Sequence, residues 1–392
     1  MLQRLFDRPR AVSRAINIDD LRSLARQRLP RILYDYIEGG AGDESGLHAN
    51  RAAFEAYTLR PRYLVDVTGR SLATSLWDRQ HAAPFGIAPV GLAGLFHRSG
   101  ERALATAASR AGIPYIQSGA SIASIEDLAV QPGERPWYQI YLARDARVSL
   151  DVVARASDAA MPVLVVTVDL VVPAKRERDR RHGFDFDIRL TPSRLLDGLR
   201  HPRWTLDYLA QGGLPAFGTW ARYARPGASA REVAEYLSAE SYGPQQWSDI
   251  EAIRRAWRGK LVLKGIQHVD DAIRAIDLGV DGIIVSNHGG RQLERLPVAI
   301  HLLPELRDTV GRRLAIMVDG GIRRGCDIAI ALALGADFVF VGRAPIYGLA
   351  AGGLAGVERA LAILREELDL TLGQIGVTDV RELGPESLHA IR

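Results

Sequence analysis

The residue best suited to acid–base chemistry in this sequence is His288. It lies in the segment Ile283–Gln292, which reads Ile-Ile-Val-Ser-Asn-His-Gly-Gly-Arg-Gln, so a buried strand delivers the histidine into a glycine-rich turn with Arg291 three residues further on. Imidazole is the usual general base near neutral pH, and a guanidinium group suits an anionic substrate. The segment predicts a proton-abstracting histidine beside an anion-binding arginine. The alternative is a structural histidine, the commoner role of a lone one.

Two short turns carry the glycine and arginine residues that can bind a phosphate. Val318–Arg324 reads Val-Asp-Gly-Gly-Ile-Arg-Arg, and Phe340–Arg343 reads Phe-Val-Gly-Arg. Glycines let backbone N–H groups approach an anion, and Arg323 and Arg343 would supply fixed charge. Together the turns predict a phosphate site, with two tight turns and solvated arginines as the alternative.

Other polar residues stand at the points where predicted buried strands end. A packed interior needs none of these residue types, so their concentration at strand ends favours an active site. Each alone has a structural alternative: Asp169 could cap a helix, Lys264 could be a solvated strand end, and Gln139 could be a hydrogen-bonded rim residue. The full set is Ser118, Gln139, Tyr141, Thr167, Asp169, Lys264, Ser286, Asn287, His288, Asp319, Gly342 and Arg343.

The elements that must position these residues alternate between strands and helices from about Pro84 onward. Amphipathic stretches such as Glu101–Ala111, Val269–Leu278 and Asp327–Leu334 separate short β-branched or aromatic runs. Eight such units imply parallel strands closed into a (β/α)8 barrel, a TIM barrel, with its active site at the carboxyl ends of the strands. An open doubly wound sheet is the alternative, but no Gly-x-Gly-x-x-Gly follows the first strand. The predicted strands are Phe85–Pro89, Tyr115–Ser118, Trp137–Tyr141, Val163–Asp169, Leu261–Lys264, Gly282–Ser286, Leu314–Asp319 and Asp337–Val341.

An N-terminal helical extension, residues 1–80, precedes the barrel in what we predict to be a single domain over residues 1–392. Such a segment would form a lid or plug on the barrel. Its predicted elements are helices over Ile18–Leu29, Leu33–Gly39 and Gly46–Ala56 and an extended segment over Arg60–Leu64.

A long insertion is predicted after the fourth strand, because about ninety residues separate that strand from the fifth, far more than a strand-to-helix connection needs. Within the insertion, residues 186–230, the stretch from Arg189 to Arg225 contains six arginines and two aspartates, which alternate with leucine and aromatic residues. This composition is typical of a segment that lies in a membrane interface, where anionic headgroups attract basic side chains. A lid over the active site or a contact between subunits is the alternative. The residues are Arg189, Arg194, Arg200, Arg203, Arg222 and Arg225, Asp197 and Asp207, and Leu195, Leu196, Leu199, Trp204, Leu206, Tyr208, Leu209, Leu214, Phe217, Trp220 and Tyr223.

Composition excludes several classes of protein. The 392 residues carry a net charge of only +4 and no nucleic-acid-binding motif, so a nucleic-acid partner is not expected. Cys326 is the sole cysteine, which excludes an intrachain disulfide and a cysteine-based metal site and fits a reducing, cytoplasmic compartment. The start lacks the apolar core of a secretory signal. The longest apolar stretch, Met161–Ala174, is broken by Asp169, so no membrane-spanning segment is expected.

From about Asp19 to the C-terminus, the ordered motifs resemble the FMN-dependent L-α-hydroxy-acid oxidase and dehydrogenase family. The resemblance is greatest to its (S)-mandelate dehydrogenase members, in Arg176–Asp179, in Leu196–Asp207, and in Gly91, where oxidases of short-chain acids usually carry alanine. Loss of that methyl group beside the flavin would leave room for a larger substrate side chain. Val90 departs from the threonine common in the family. The motifs are Tyr34–Ile37, Ile87–Gly91, Gln139–Tyr141, Thr167–Asp169, Arg176–Asp179, Leu263–Gly265, Ser286–Gln292, Asp319–Arg324 and Ala331–Ala336.

The resemblance implies a 2-hydroxycarboxylate substrate held at its carboxylate by two arginines. Arg176 and Arg291 would form bidentate contacts with that anion, and the Tyr36 hydroxyl would assist them. Tyr141 would hydrogen-bond the substrate oxygen. Gly91 would border the substrate's side chain.

The resemblance also implies a base and a cofactor, FMN. His288 would remove a proton, Asp169 would stabilise the imidazolium that forms, and Lys264 would stabilise negative charge on the flavin. Whether His288 takes the hydroxyl proton or the α-proton stays open at this point. The implied cofactor-binding residues are Pro89, Val90, Gly91, Ser118, Gln139, Thr167, Lys264, Ser286, Asp319, Gly320, Gly321, Arg323, Gly342 and Arg343.

The function implied is oxidation of an (S)-2-hydroxy acid, mandelate or a related aromatic acid, to the 2-oxo acid. Electrons would pass to a quinone, and the protein would be a homotetramer, cytoplasmic or peripheral on the inner face of the cell membrane. The alternatives are an L-lactate dehydrogenase, an oxidase of the same family that uses O2, and a phosphate- or flavin-binding barrel without catalysis. The complete set of predicted substrate-binding and catalytic side chains argues against a barrel without catalysis: Tyr36, Tyr141, Arg176, His288 and Arg291.

Overall fold

The computed structural model describes residues 8–184, 191–210, 212–213, 215–241 and 245–390. Strands and helices alternate along most of this length. The strands are β1 (Tyr57–Leu59), β2 (Thr74–Leu76), β3 (Arg79–His81), β4 (Phe85–Ile87), β5 (Ile116–Gln117), β6 (Trp137–Ile140), β7 (Val163–Thr167), β8 (Lys260–Ile266), β9 (Gly282–Val285), β10 (Ala315–Asp319), β11 (Phe338–Val341) and β12 (Leu388–Ala390).

The helices fall into an N-terminal group, a group within the insertion, and the helices that follow barrel strands. They are α1 (Arg8–Ser13), α2 (Ile18–Arg28), α3 (Arg31–Glu38), α4 (Ser45–Ala52), α5 (Ala93–Phe96), α6 (Gly100–Ala111), α7 (Ile125–Ala129), α8 (Ala146–Asp158), α9 (Glu177–His182), α10 (Pro192–Arg200), α11 (Pro202–Ala210), α12 (Ala230–Ser241), α13 (Trp247–Ala256), α14 (Val269–Asp277), α15 (Ala299–Val310), α16 (Gly325–Ala333) and α17 (Arg343–Ile375).

Strands β4 to β11 form one parallel sheet in the order β4-β11-β10-β9-β8-β7-β6-β5. A parallel bridge between Ile87, at the end of β4, and Tyr115, just before β5, joins the two ends of that order. The predicted (β/α)8 barrel is therefore confirmed. Five of the eight strands end one or two residues earlier than predicted, because the chain there turns into the loops that form the functional cleft.

Both faces of the barrel strands are buried, which explains why the sequence shows apolar runs instead of alternation. Along β7, Val163 and Val165 belong to the cluster inside the barrel, together with Met317. The intervening residues Leu164 and Val166 pack outward under the helices. Successive side chains therefore alternate between the inside and the outside of the barrel, although both sets are apolar and the sequence shows no alternation.

The antiparallel hairpin of β2 and β3 closes the amino-terminal end of the barrel. Leu76 enters the interior cluster, and the Trp77 ring lies 5.7 Å from the ring of Trp137. The Trp77 indole N–H donates to the carbonyl of Asp281, which precedes β9. With this end closed, the carboxyl ends of the strands are left for the functional site.

The N-terminal extension supplies α2, α3 and α4 close to their predicted bounds. Helix α2 begins at the N-cap Asn17, whose side-chain oxygen accepts the Asp20 N–H at 2.8 Å, and packs against α17. Among the described helices, α17 is the one long and apolar enough to cross a bilayer, yet 67% of its most apolar window is buried inside the protein. It is a core helix, interrupted at Gly352 and Gly353.

The insertion between β7 and β8 is docked on the body by specific polar contacts. Arg28 on α2 forms an ion pair with Asp207 on α11 at 2.5 Å. The Trp204 indole N–H donates to the Leu95 carbonyl at 2.7 Å. Helices α10 and α11 therefore lie against the N-terminal extension. Of the predicted interface residues, Arg189 and Leu214 lie outside the described residues.

Candidate active site

A cleft with about 1000 Å³ of empty space opens at the carboxyl ends of the barrel strands. It brings together predicted residues from strand ends, from α3 and from the insertion. Asp169, Ser118, Gln139, Thr167 and Ser286 lie beside or beneath it rather than in its lining. The predicted residues that line it are Tyr36, Pro89, Val90, Gly91, Tyr141, Arg176, Lys264, His288, Arg291, Asp319, Gly320, Gly321, Arg323, Gly342 and Arg343.

His288 and Asp169 form a hydrogen-bonded pair although 119 residues separate them in the sequence. His288 follows β9 and Asp169 follows β7, and the imidazole Nδ1 lies 2.9 Å from Asp169 Oδ1 and 3.1 Å from Oδ2. Burial lowers the pKa of His288 below its ordinary value; Asp169 opposes the shift, and Lys264 adds to it. A partly buried histidine that is neutral near pH 7, with its orientation fixed by a carboxylate, can serve as a general base.

The carboxylate of this pair stays ionised. Burial by itself would raise the pKa of Asp169, but the charges of His288 and Lys264 outweigh burial and lower it. Asp169 can therefore compensate a positive charge on the imidazole after proton uptake.

Lys264, Ser286 and Asp319 form a buried chain of polar groups at the base of the cleft. The Lys264 ammonium donates to Ser286 Oγ at 2.9 Å and lies 3.1 Å from Asp319 Oδ2. Ser286 Oγ in turn donates to Asp319 Oδ1 at 2.5 Å. Burial would lower the pKa of Lys264, but Asp319 and Asp169 outweigh it and raise the pKa. The ammonium is a fixed positive charge in the cleft wall.

Arg291 is a partly buried cation that contacts an aromatic ring and backbone carbonyls. Its Nη1 donates to the carbonyls of Tyr36 at 2.6 Å and Gly39 at 2.8 Å, and its guanidinium carbon lies 4.7 Å from the centre of the Tyr36 ring. Its buried Nη2 has no hydrogen-bond partner within the described part of the chain. Burial and the nearby charge of Arg176 lower the pKa of Arg291 to about 9. A cation in this setting is stabilised by an anionic ligand.

Arg176 is held beside Arg291 by the strand-end loop itself. Its Nε donates to the Arg291 carbonyl at 3.2 Å, and its Nη2 donates to Gln292 Oε1 at 3.1 Å. The Gln292 amide donates to the Asp169 carbonyl at 3.1 Å. These contacts place two guanidinium groups on one side of the cleft, next to the His288–Asp169 pair.

At the ends of β6 and β7, buried polar side chains have hydrogen-bonding groups that remain unused. Gln139 Oε1 accepts from Ser118 Oγ at 3.2 Å and from the Gly119 N–H at 3.1 Å. Its Nε2, and the Oγ1 of Thr167, are buried without a partner among the residues that the structure describes. Buried groups of this kind usually have a partner, so they point to a polar ligand.

Of the two predicted phosphate turns, the one after β10 requires glycine, whereas Gly342 in the other has an ordinary φ of −93°. Gly320 and Gly321 adopt φ values of +104° and +81°, which disfavour any residue with a Cβ atom. A Cβ at Gly321 would lie 1.9 Å from the carbonyl oxygen of Asn50. The Arg323 guanidinium lies 5.6 Å from the centre of the Tyr347 ring.

Arg343 departs from the picture of a free phosphate-binding cation. Its Nε donates to the carbonyl of Ile37 at 2.8 Å, its Nη2 to that of Gly39 at 2.9 Å, and its Nη1 to that of Gly289 at 3.1 Å. These three hydrogen bonds join α3 to the His288 turn. Because a guanidinium has five N–H groups, two remain that could bind a ligand.

The structure shows that a methyl group at position 91 would contact a neighbouring residue of the cleft wall as well as reduce the space for the substrate. A Cβ at Gly91 would lie 3.0 Å from Ala120 Cβ and 3.1 Å from the Ala120 carbonyl oxygen. The methyl group would therefore press on a second wall residue, one that the sequence gave no reason to select.

A second cavity, which we call the side chamber, adjoins the cleft and has about 1200 Å³ of empty space. The two share Tyr36, Ala120, Tyr141, Leu170 and Arg176. Eleven of the fifteen residues that line the side chamber come from the insertion, and six of these eleven are apolar. Its other lining residues are Leu92, Pro173, Ala174, Asp179, Arg180, Phe184, Phe217, Leu237, Ser238 and Ser241.

Comparison with known proteins gives three concordant findings. The model of the family described as FMN-dependent dehydrogenase matches residues 25–390. The chain is 42% identical to a Mycobacterium tuberculosis protein named provisionally as an L-lactate dehydrogenase, over 99% of this chain and 94% of that protein. It is 39% identical to (S)-mandelate dehydrogenase of Pseudomonas putida, over 95% of this chain and 93% of that protein. A crystal structure of monotopic membrane protein (S)-mandelate dehydrogenase superposes with a TM-score of 0.93 at 38% identity, over 96% of this chain and all of that chain.

Proposed function

The chain belongs to the FMN-dependent dehydrogenase family, and from that premise we propose that it oxidises an (S)-2-hydroxy acid with a bulky, aromatic side chain to the 2-oxo acid. The predicted family and the predicted cofactor, FMN, are confirmed. The observation that carries the proposed chemistry is the His288–Asp169 pair, whose histidine lines the same cleft as the partly buried guanidinium of Arg291.

The residues present fit FMN. Gln139 Nε2 and Thr167 Oγ1 are buried and have no partner among the described residues, so they are free to hydrogen-bond a polar ring system. The glycine turn at Gly320 and Gly321 fits the phosphate end, with Arg323 beside it. Bound FMN supplies the two-electron acceptor of the reaction. Lys264, whose pKa is raised by its carboxylate neighbours, supplies a permanent positive charge beside it.

The substrate's carboxylate would lie between Arg291 and Arg176. Nη2 of Arg291, which has no partner in the described part of the chain, provides one donor, and the two planar guanidinium groups match the geometry of a carboxylate. The hydroxyl groups of Tyr36 and Tyr141, which both line the cleft, would complete the binding of substrate oxygens.

Proton removal falls to His288. Oxidation of the carbinol removes two electrons and two protons. His288 would take one proton onto its imidazole, and bound FMN would be the acceptor for the two electrons and the second proton. Asp169 then faces an imidazolium at 2.9 Å, and this charge pair lowers the energy of the protonated base. Removal of the hydroxyl proton and removal of the α-proton are both compatible with this geometry.

The side chamber supports the choice of a bulky substrate. It opens from the cleft past Leu170 and Tyr141, and its apolar walls include Phe184 and Phe217. A lactate methyl group would leave this space to water, whereas an aromatic ring would bury apolar surface there. The alternative within the family is L-lactate, the substrate in the names of several relatives.

The outer face of α10 and α11 supports a membrane-bound location. Five leucines on these helices are between 50% and 75% exposed, an unusual density of apolar side chains on a surface, and the arginines Arg200 and Arg203 lie on the same helices. We therefore propose peripheral attachment on the inner face of the cell membrane and delivery of electrons to a quinone. The leucines are Leu195, Leu196, Leu199, Leu206 and Leu209.

The structure corrects the predicted extent of this surface. Phe217 and Trp220 are buried, and the Trp220 indole N–H donates to the Gly119 carbonyl at 2.7 Å. Phe217 and Trp220 therefore belong to the protein core, and among the described residues of the insertion the exposed leucines lie on α10 and α11. The homotetramer stays a prediction that sedimentation would test.

One anaerobic titration tests the proposed function. The purified holoprotein is mixed with (S)-mandelate or L-lactate without oxygen, and flavin absorbance near 450 nm is followed. We expect bleaching by both acids with higher efficiency for mandelate. Higher efficiency for lactate would favour the lactate alternative, and no bleaching by any 2-hydroxy acid would favour a barrel without catalysis. Comparison of peroxide yield in air with quinone reduction separates an oxidase from a dehydrogenase.

A further inference from the structure

Two buried asparagines outside the proposed chemistry join the N-terminal extension to the catalytic turn. Asn50 on α4 donates from Nδ2 to Asn287 Oδ1, and Asn287 donates from Nδ2 to Asn50 Oδ1, both at 2.8 Å. Each residue is at most 2% exposed. The pair spans 237 positions of sequence, so it is a tertiary contact that neither segment makes locally.

The turn that Asn287 enters is conformationally demanding. His288, Gly289 and Gly290 have successive φ values of +56°, +63° and +74°. Glycine tolerates this left-handed region, but a histidine there is strained and persists only when its surroundings fix it. Two side chains do so: Ser286 Oγ accepts the His288 N–H at 2.9 Å, and Asn287 Oδ1 accepts the Gly290 N–H at 3.2 Å.

Asn50 also borders the glycine turn proposed for the phosphate. Its carbonyl oxygen approaches Gly321 so closely that a Cβ there would lie 1.9 Å away. A Cβ at Gly320 would lie 3.6 Å from Asn50 Nδ2 and 3.7 Å from Asn287 Oδ1. One residue of α4 thus contacts both the turn that carries the base and the turn that follows β10.

We propose that Asn50 and Asn287 are positioning residues whose paired amides hold the His288 turn and the Gly320–Gly321 turn in one fixed arrangement. The inference rests on the proposed function, in which His288 is the base. Asn50 itself would touch neither the substrate's reacting atoms nor its carboxylate. Its effect would pass through Asn287 to the backbone of His288 and, through its own carbonyl, to Gly321.

Loss of the Asn50 side chain would leave Asn287 Oδ1 with the Gly290 N–H, and Asn287 Nδ2 with the Pro297 carbonyl, each at 3.2 Å, as their remaining partners among the described residues. Loss of the shorter of two hydrogen bonds at each buried atom is unfavourable, so the turn would shift toward these longer contacts or toward water. Because a misplacement of about 1 Å can lower a rate about 100-fold, we expect Asn50→Ala to slow flavin reduction about 10- to 100-fold. FMN affinity should fall in the same variant, because the glycine turn would lose its neighbour's fixed position.

A matched control separates positioning from general stability. Asn17→Ala removes another asparagine side chain with a defined hydrogen bond, the N-cap of α2, far in sequence from both turns. Both variants should lower the melting temperature. Only Asn50→Ala should change the reduction rate at saturating substrate and the FMN dissociation constant, measured by quenching of flavin fluorescence.

The pH profile provides a third readout. His288 is faced by Asp169, Lys264 and Arg176, and of these only Asp169 raises its pKa. A relaxed turn would weaken the contact with Asp169, so the acid limb of kcat/KM should move to lower pH in Asn50→Ala and stay in place in Asn17→Ala.

A second variant keeps the test decisive if Asn50→Ala does not fold. Asn50→Asp preserves size and still accepts from Asn287 Nδ2, but the carboxylate has no proton to donate to Asn287 Oδ1. We expect the flavin reduction rate, the FMN affinity and the acid limb of kcat/KM to change in the same directions as in Asn50→Ala. A variant at Asn50 that matches Asn17→Ala in rate, FMN affinity and pH profile overturns the inference. Failure of the wild-type flavin to bleach with any 2-hydroxy acid overturns the proposed function instead.

Discussion

The ring of Phe184 stacks on the ring of Tyr36, with 4.3 Å between their centres and 25° between their planes. The guanidinium of Arg291 also lies on the Tyr36 ring, with its central carbon 4.7 Å from the ring centre. The insertion that begins after β7 therefore contacts the proposed carboxylate-binding side through one aromatic ring. This contact links the wall of the side chamber to the arginines that would orient the substrate.

Replacement of the base is the first test of the mechanism. We expect His288→Gln to bind FMN and to fold, because glutamine preserves a polar side chain beside Asp169. Flavin reduction should fall by about 10²–10⁴, the usual effect of removing a general base. Anaerobic stopped-flow measurement of flavin absorbance checks this. A rate within tenfold of wild type would mean that another group removes the proton.

The pH dependence follows from the charge state of the imidazole. Burial lowers the pKa of His288 below its ordinary value near 6.5, and only the neutral ring can accept a proton. Activity should therefore persist at pH 6.5 and be lost as pH falls through the lowered pKa. Asp169→Asn removes the charge that raises this pKa, so its acid limb should lie lower still, with a reduced maximal rate. A wild-type acid limb of kcat/KM above pH 6.5 would contradict the assignment.

Arginine geometry can be separated from arginine charge. Arg291→Lys and Arg176→Lys keep a cation but lose the planar pair of donors, so each should weaken binding of the substrate and of 2-oxo-acid product by about 10- to 100-fold. Arg181→Lys is the matched control, since Arg181 is exposed on α9 and pairs with Glu177. Equal affinities in all three variants would place the carboxylate elsewhere.

Substrate size should depend on the contact between positions 91 and 120. Gly91→Ala places a methyl group 3.0 Å from Ala120 Cβ, and such overpacking typically costs about 1–3 kcal/mol. We expect the ratio of kcat/KM for mandelate to that for lactate to fall. The double variant Gly91→Ala with Ala120→Gly removes the contact with Ala120 Cβ, keeps the 3.1 Å contact with the carbonyl oxygen of residue 120, and should restore part of the ratio. An unchanged ratio in Gly91→Ala would remove Gly91 as a determinant of substrate size.

Membrane attachment should depend on the exposed leucines of α10 and α11. Replacement of all five by glutamine should abolish flotation with anionic liposomes while anaerobic flavin reduction is retained. The control replaces Ile16, Val130 and Leu370, which are also exposed but lie outside the insertion, and should float like the wild type. Wild-type protein that stays at the bottom of the gradient would leave a lid or a subunit contact as the role of these helices. Deletion of the whole insertion is a poorer test, because it would remove the buried Trp220.

The sequence by itself determined the barrel and the residues at its strand ends. Apolar runs such as Val163–Thr167 are strands because both of their faces are buried, and this depends on local composition and on the spacing of the runs. His288 and Asp169 could be selected as candidates because the carboxyl ends of parallel strands meet at one edge. Selecting these two residues requires only the order and the direction of the strands.

Contacts between distant segments were decided by the tertiary structure alone. Three of the five donors of Arg343 bind carbonyls of α3 and of the His288 turn, and Gly91 faces Ala120. Trp220 is buried although its neighbours in sequence are typical of a membrane interface. The physical reason is the same in each case. A side chain's hydrogen bonds and burial depend on which surfaces pack against it, and residues hundreds of positions away, such as Asn50 beside Asn287, leave no periodic signal in the chain.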